Sequence, residues 1–290
     1  MPSRWSGRRE RFRALMEGSR CYHPASVFDP LSARIAEDLG FEMGMMAGST
    51  GSLAVLGAPD IIVITLTEFA EQAHRIGRAA DLPLLVDADH GYGNALNVMR
   101  TVEELENAGV AALSIEDTLL PRAYGPSDAA QLLPIEEGAG KMRAAVEARR
   151  DPNLVIAGRT SAIGITGLDD TIARCKAYEA CGVDALFLIG VKERQTLAAI
   201  TAATKTPLIL GNVGAELMDL PYLGTQRVRV CLQGHQPIQA AVKAVHDTLS
   251  ALRNGAAPKS LSNIASAELM AKVTRASRYN GWKSFLGHKG

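Results

Sequence analysis

Apolar residues fall in two alternating patterns along the chain. Three segments resemble one another: 37–48 (EDLGFEMGMMAG), 106–117 (ENAGVAALSIED) and 179–190 (EACGVDALFLIG). Each closes a polar, periodic stretch, places a glycine, then runs apolar for about six residues, a length that suits a strand buried on both faces. The glycine suits the left-handed position after a helix C-terminus. Between these segments lie strands introduced by proline: Pro83–Asp87, Leu154–Thr160 after Pro152, and Pro207–Leu210. Adding Cys21–Val27 and Val228–Leu232 brings the number to eight.

Helical periodicity fills the intervals, over 30–39, 66–80, 94–107, 135–149, 168–180, 192–204, 215–223 and 237–253. Asp29 as N-cap followed by Pro30 marks a clean helix start. Eight βα units in about 230 residues predict a (β/α)8 TIM barrel. A doubly wound open sheet is the competitor. The count of eight, and the lack of a GxGxxG after the first strand, favour the barrel. Residues 3–18 read as an amphipathic N-terminal helix over one barrel end. Residues 1–257 thus form the barrel with its covering helix, and 258–290 a C-terminal helical tail, helical over 262–275. Its Trp282 and Phe285 suit docking on a neighbouring subunit.

Composition narrows the class. The chain has 290 residues, 31 Lys+Arg against 31 Asp+Glu, 47% hydrophobic and 21% charged residues, which is a globular profile. Zero net charge gives no footprint for nucleic acid. No apolar run is long enough for a membrane span, and the Arg-rich first twenty residues lack a signal-peptide core. The four cysteines, at 21, 175, 181 and 231, show no CxxC spacing. They read as small buried residues of a cytoplasmic protein.

A barrel of this kind carries its chemistry at the C-terminal strand ends. That rule selects Gly48-Ser49 after strand two, Asp87 and Asp89 after strand three, Glu116-Asp117 after strand four, Arg159-Thr160 after strand five and His235 after strand eight. Asp87 and Asp89 stand two apart and face one point, with Glu116 from the next strand. An all-oxygen set without Cys or a His pair suits Mg²⁺ or Mn²⁺ over Zn²⁺. The plainer alternative is that the acids cap the following helices. For one Asp it would win; for so many on adjacent strand ends a metal site is the better account. Gly91 and Gly93 allow a tight turn. Arg159 either neutralises the acids or binds an anionic substrate. His235 by pattern alone is as well explained as a helix cap. His90 faces away from its neighbours and receives no role; His23, His74, His246 and His288 read as structural or surface residues.

VDADHGYGN (86–94), SIED (114–117), and Gly48-Ser49 with Asp60 closing LGAPD (56–60) closely resemble the signature of the isocitrate lyase/phosphoenolpyruvate mutase superfamily. The resemblance runs from SVFDPLSARIAEDLGFEMG (26–44) to the last barrel helix. It implies a barrel whose last helix is exchanged between subunits in a homotetramer, a dimer of dimers, acting on a small 2-oxo or 2-hydroxy carboxylate. It implies Mg²⁺, with Mn²⁺ able to substitute, bound directly by Asp87, while Asp60, Asp89 and Glu116 hold the metal's waters. Gly48, Ser49 and Arg159 would bind substrate.

The lyases of this superfamily carry a Cys- and His-containing loop after the IED motif. Here PRAYGPS (121–127) has neither, nor the Lys and Asn or Thr of the phosphonopyruvate enzymes. The oxaloacetate decarboxylases lack the lyase loop and place a His after the last strand, where CLQGH (231–235) stands. YHPASVFDP (22–30) and IEDTLLP (115–121) also resemble that branch. The resemblance therefore implies Mg²⁺-dependent decarboxylation of oxaloacetate to pyruvate and CO₂ through a stabilised enolate, with Arg159 and His235 as catalytic residues. The alternatives are a C–C lyase or hydrolase on another diacid, methylisocitrate-like or dimethylmalate-like, and a non-catalytic carboxylate-binding barrel.

Overall fold

The computed structural model describes residues 5–122, 124–125 and 129–287. Their contacts divide into two compact units, Met1–Gly234 and His235–Gly290.

In the first unit, eight parallel strands stand in sequential order. They are β1 (Ala25–Ser26), β2 (Gly44–Met46), β3 (Leu84–Asp87), β4 (Ala112–Glu116), β5 (Val155–Thr160), β6 (Ala185–Ile189), β7 (Leu208–Gly211) and β8 (Val228–Cys231). Tyr22 closes the ring by pairing in parallel with Val230, donating its N–H to Arg229 and accepting from Cys231, both at 2.9 Å. The helices are α1 (Ser6–Glu17), α2 (Pro30–Asp38), α3 (Gly48–Leu56), α4 (Leu66–Ala79), α5 (Ala95–Ala108), α6 (Ile135–Ala148), α7 (Ala162–Ile165), α8 (Leu168–Ala180), α9 (Arg194–Ala203) and α10 (Leu220–Thr225). The second unit holds α11 (Gln236–Arg253), α12 (Ala267–Val273) and α13 (Ala276–Trp282).

Strand pleating sorts the core into two layers. Met45, Leu85, Ala112, Val155, Ala157, Phe187, Ile209 and Val230 fill the barrel interior. Val86, Leu113, Ile115, Ile156, Leu186 and Leu188 face outward and pack under the helices with Phe69 and Tyr178. The expected covering helix is α1. Its Phe12 and Met16 join the interior cluster. Arg8 reaches Asp81 and the Gly77 carbonyl, Arg9 reaches Asp151 and the carbonyls of Glu106 and Val110, and Arg13 reaches Asp184.

Local signals behave as expected at α2, where Asp29 and Ser32 form a reciprocal cap. Three departures have local causes. Gly48-Ser49 do not finish a strand: β2 stops at Met46 and they open α3. Small residues make that turn possible, because Gly51 lies against Phe69, where a Cβ would come within 2.9 Å of the ring. The stretch 215–223 splits into a 3₁₀ turn and α10, since Asp219 caps a new start ahead of Pro221. The tail helix begins only at Ala267, capped by Ser266, and breaks at Arg275, which is left-handed at φ 59°.

Candidate active site

On three adjacent strands the inward column ends in a charged side chain. On β3 it runs Leu85, Asp87; on β4 Ala112, Ser114, Glu116; on β5 Val155, Ala157, Arg159. Register then makes the contacts. Asp87 is level with Ser114, whose hydroxyl donates to Asp87 Oδ1 at 2.9 Å. Glu116 is level with Arg159, and Arg159 with Phe187. The guanidinium accordingly ion-pairs with Asp87 through Nη1, lies 3.4 Å from Glu116 Oε2 through Nη2, and rests 5.6 Å over the Phe187 ring. Its Nε is buried without a hydrogen-bond partner.

Beyond β3 the chain turns sharply. Asp89 is left-handed at φ 48°, followed by Gly91 and Gly93 at φ 75° and 147°. The expected turn glycines are therefore required by backbone shape. This turn, rather than an extended strand, carries Asp89 back toward Asp87. The Asp89 carbonyl accepts from Glu116 N–H at 2.8 Å. Its carboxylate lies against Gly48 so closely that a Cβ there would collide with it. α3 therefore begins directly beside the acids, and no side chain caps its first turn. Such a helix start is suited to a carboxylate.

The electrostatics are unbalanced. Burial, followed by the charges of Asp87 and Glu116, pushes the Asp89 carboxyl well above its ordinary range; Arg159 opposes this and exposed Asp60 adds to it. Burial also raises Glu116, although Arg159 and the Thr118 hydroxyl pull the other way. For Arg159, burial lowers the pKa, but Asp87 and Glu116 more than reverse it, so it stays charged. One guanidinium thus serves several clustered carboxylates, and a further cation would relieve the remainder.

The donors are all oxygen, which fits Mg²⁺ or Mn²⁺. Among the described residues no three His, Cys, Asp or Glu side chains form a ready cage. That arrangement suits an ion held directly by one carboxylate and through water by the others, as Mg²⁺ commonly is.

Asp117 does not join the group. Being next to Glu116 on a pleated strand, it points outward, where it pairs with Arg174. His90 is buried, tilted against Tyr92 at 6.0 Å, and its Nδ1 lacks a partner. Burial and then the Lys141 charge lower its pKa to about 4, so it is neutral at neutral pH. His235 opens the second unit at the N-cap of α11, and its side chain makes no capping bond. The helix-cap alternative for it is thereby removed. His288 and part of the 121–127 stretch lie outside the described residues.

Sequence reasoning missed Ser114, Thr118, Phe187 and a second cation beyond the strand ends. Lys192 follows β6 and donates to the Asn212 carbonyl and Oδ1 at 2.6 and 3.1 Å, with Asn212 left-handed at φ 50° just after β7. The alternation that selects Asp87 also selects Ser114; Lys192 carried no such signal.

Residues 12–253 match the phosphoenolpyruvate phosphomutase family. The chain belongs to this family. A relative from Rhodopseudomonas palustris named oxaloacetate decarboxylase is 61% identical over 271 residues, covering 93% of each chain. Among solved structures related to this phosphomutase-family chain, oxaloacetate acetylhydrolase with 3,3-difluorooxalacetate is 27% identical, with TM-score 0.85 and 99% of both chains covered. Phosphonopyruvate hydrolase with oxalate and Mg²⁺ is also 27% identical, with TM-score 0.83 and 96% and 98% covered. Among the described residues no helix is long and apolar enough to cross a membrane.

Proposed function

We propose that this chain decarboxylates oxaloacetate to pyruvate and CO₂ with Mg²⁺. The observation that carries the reading is the near full-length identity to relatives named oxaloacetate decarboxylase. The loop after β4 agrees with it, since residues 118–133 contain no cysteine to serve as a lyase acid.

Asp87 is the direct metal ligand in this reading, and Asp60, Asp89 and Glu116 hold its waters. When bound, Mg²⁺ supplies a Lewis acid for the charge that grows on the 2-oxo oxygen. The chain's own groups do the rest. The first turn of α3, at Gly48 and Ser49, binds the carboxylate next to the oxo group. Arg159 takes a substrate oxygen while keeping its hold on Asp87 and Glu116. As the bond to the far carboxylate breaks, its electron pair enters the oxo acid as an enolate, and CO₂ leaves. His235 orients the oxo acid or delivers the proton that turns enolate carbon into the methyl of pyruvate. No base is needed to start the reaction.

The second unit supports an assembly. α11 exposes Val242, Val245 and Leu249 along one stripe, and the tail exposes Trp282 and Phe285. We infer that residues 235–290 pack on a second copy, with α11 exchanged, in a tetramer built as a dimer of dimers. The four unpaired cysteines suit the cytoplasm.

The test is product analysis with Mg²⁺ and oxaloacetate. Pyruvate and CO₂ in equal amounts support the reading. Oxalate and acetate would instead make the chain a hydrolase. Turnover confined to substituted malates or isocitrates would make it a lyase. Binding without turnover would leave a carboxylate sensor.

A further inference from the structure

At the end of β4 two successive acids serve opposite faces. Glu116 faces the site. Asp117 is wholly buried on the other side, between β4 and α8. Its Oδ2 accepts from Arg174 Nη1 at 3.0 Å and from the Tyr178 hydroxyl at 2.5 Å, while Oδ1 has no hydrogen-bond partner. Arg174 is itself buried and is held by Asp170 through Nε at 2.8 Å. Buried ion pairs add little net stability over well-packed apolar groups, and an unpaired carboxylate oxygen subtracts from it. Stability is therefore a poor explanation of this cluster, and geometry is the better one.

The geometry is that of a clamp on one segment. Arg174 Nη1 also donates to the Leu133 carbonyl at 2.9 Å, and Leu133 N–H donates to the Asp117 carbonyl at 2.8 Å. One guanidinium thus grips the chain where it leaves β4 and where it returns to α6. Inside that grip Thr118 bridges Leu132, and Leu119 N–H donates to Gln131 at 2.8 Å. The Thr118 hydroxyl then donates to Glu116 Oε2 at 2.8 Å, the same oxygen that faces Arg159. Gly138, on α6, leaves the room that the Tyr178 hydroxyl needs: a Cβ there would lie 2.5 Å from it.

We propose that Arg174 and Tyr178 are positioning residues for the active site. Through Asp117 they fix both stems of the 118–132 segment, and through Thr118 they set the carboxylate of Glu116. The inference rests on the place given to Glu116 in the proposed metal site.

The test uses the full chain and three variants. Arg174→Lys keeps the charge but loses the fork that spans two acceptors. Tyr178→Phe removes one donor to Asp117. Thr118→Val cuts only the link to Glu116. Mn²⁺ affinity is measured without substrate, KM and kcat with oxaloacetate, and stem integrity by the rate of trypsin cleavage after Arg122. All three variants should raise the Mn²⁺ Kd roughly 3–10-fold, less than loss of a metal-water ligand itself. Arg174→Lys and Tyr178→Phe should also speed cleavage, whereas Thr118→Val should not. Should Arg174→Lys fail to fold, the other two variants decide. A fall in Tm with Mn²⁺ Kd, KM and cleavage rate unchanged would overturn the proposal, leaving a packing role. Failure of the parent to bind Mn²⁺ would sink the metal-site reading instead, and the cleavage rates would still decide the clamp.

Discussion

The carboxylate of Asp89 occupies the space that a side chain at Gly48 would need. This contact joins the two halves of the site, the acids after β3 and the first turn of α3, which we propose binds the substrate carboxylate. Gly48→Ala should push them apart. A displacement of about 1 Å at a reacting centre can cost on the order of 100-fold. We expect a loss of at least tenfold in kcat/KM with little change in Tm; parent-like kinetics would separate α3 from the site.

Asp87 should carry metal binding. Asp87→Ala is expected to abolish Mg²⁺-dependent turnover and Mn²⁺ binding by calorimetry, with circular dichroism unchanged. Asp89→Ala or Glu116→Ala should weaken Mn²⁺ on the order of 10–100-fold, as outer partners do. Full activity in Asp87→Ala would remove the metal assignment.

His235 makes no side-chain capping bond to α11, and the proposed role for it is contact with the substrate. His235→Ala should raise KM, lower kcat, or both, by a combined factor matching roughly 1.5–3 kcal/mol for a hydrogen bond to a charged oxygen. His235→Gln should recover part of this if hydrogen bonding is the role and little if proton transfer is. Unchanged decarboxylation by His235→Ala would take away the main residue-level support for this branch of the family.

The α1 clamp gives an acid-stability signature. Burial pushes the Asp151 carboxyl up, but Arg9, the Asn153 N–H and the charge of Arg13 outweigh it and hold the carboxyl below its ordinary range. A lowered folded-state pKa stabilises above the unfolded value, about 3.9, and that share is lost as pH falls through the folded one. Melting curves from pH 7 to pH 3 should show the parent losing its advantage over Asp151→Asn only at the acid end. Arg9→Ala should cost on the order of 2–4 kcal/mol at neutral pH, because it removes a buried guanidinium that serves a half-buried carboxylate and two carbonyls. A constant gap between parent and Asp151→Asn across the range would reject the linkage.

The stripe of Val242, Val245 and Leu249 with Trp282 and Phe285 should be covered in solution. Light scattering of the full chain should give four times the 30.8 kDa subunit mass. Val245→Asp with Leu249→Asp should shift that mass downward. A parent that stays monomeric at micromolar concentration would end the assembly reading.

The chain by itself determines the eightfold alternation, the strand ends and the turn glycines. These depend on period, on proline and on glycine conformation, all of which act within a few residues. The same local logic names Asp87, Glu116 and Arg159, because inward positions at strand ends follow from counting by twos. It also contained, unused, the opposite facing of Glu116 and Asp117. Only the tertiary structure decides which of these groups meet. The parallel register sets Arg159 against both Asp87 and Glu116, and a left-handed Asp89 returns its carboxylate to Gly48. Arg174 reaches across from α8 to Asp117, a partner 57 positions away. Such pairings are set by closure of the barrel and by the stagger of its strands, and no local pattern encodes a distance between residues so far apart along the chain.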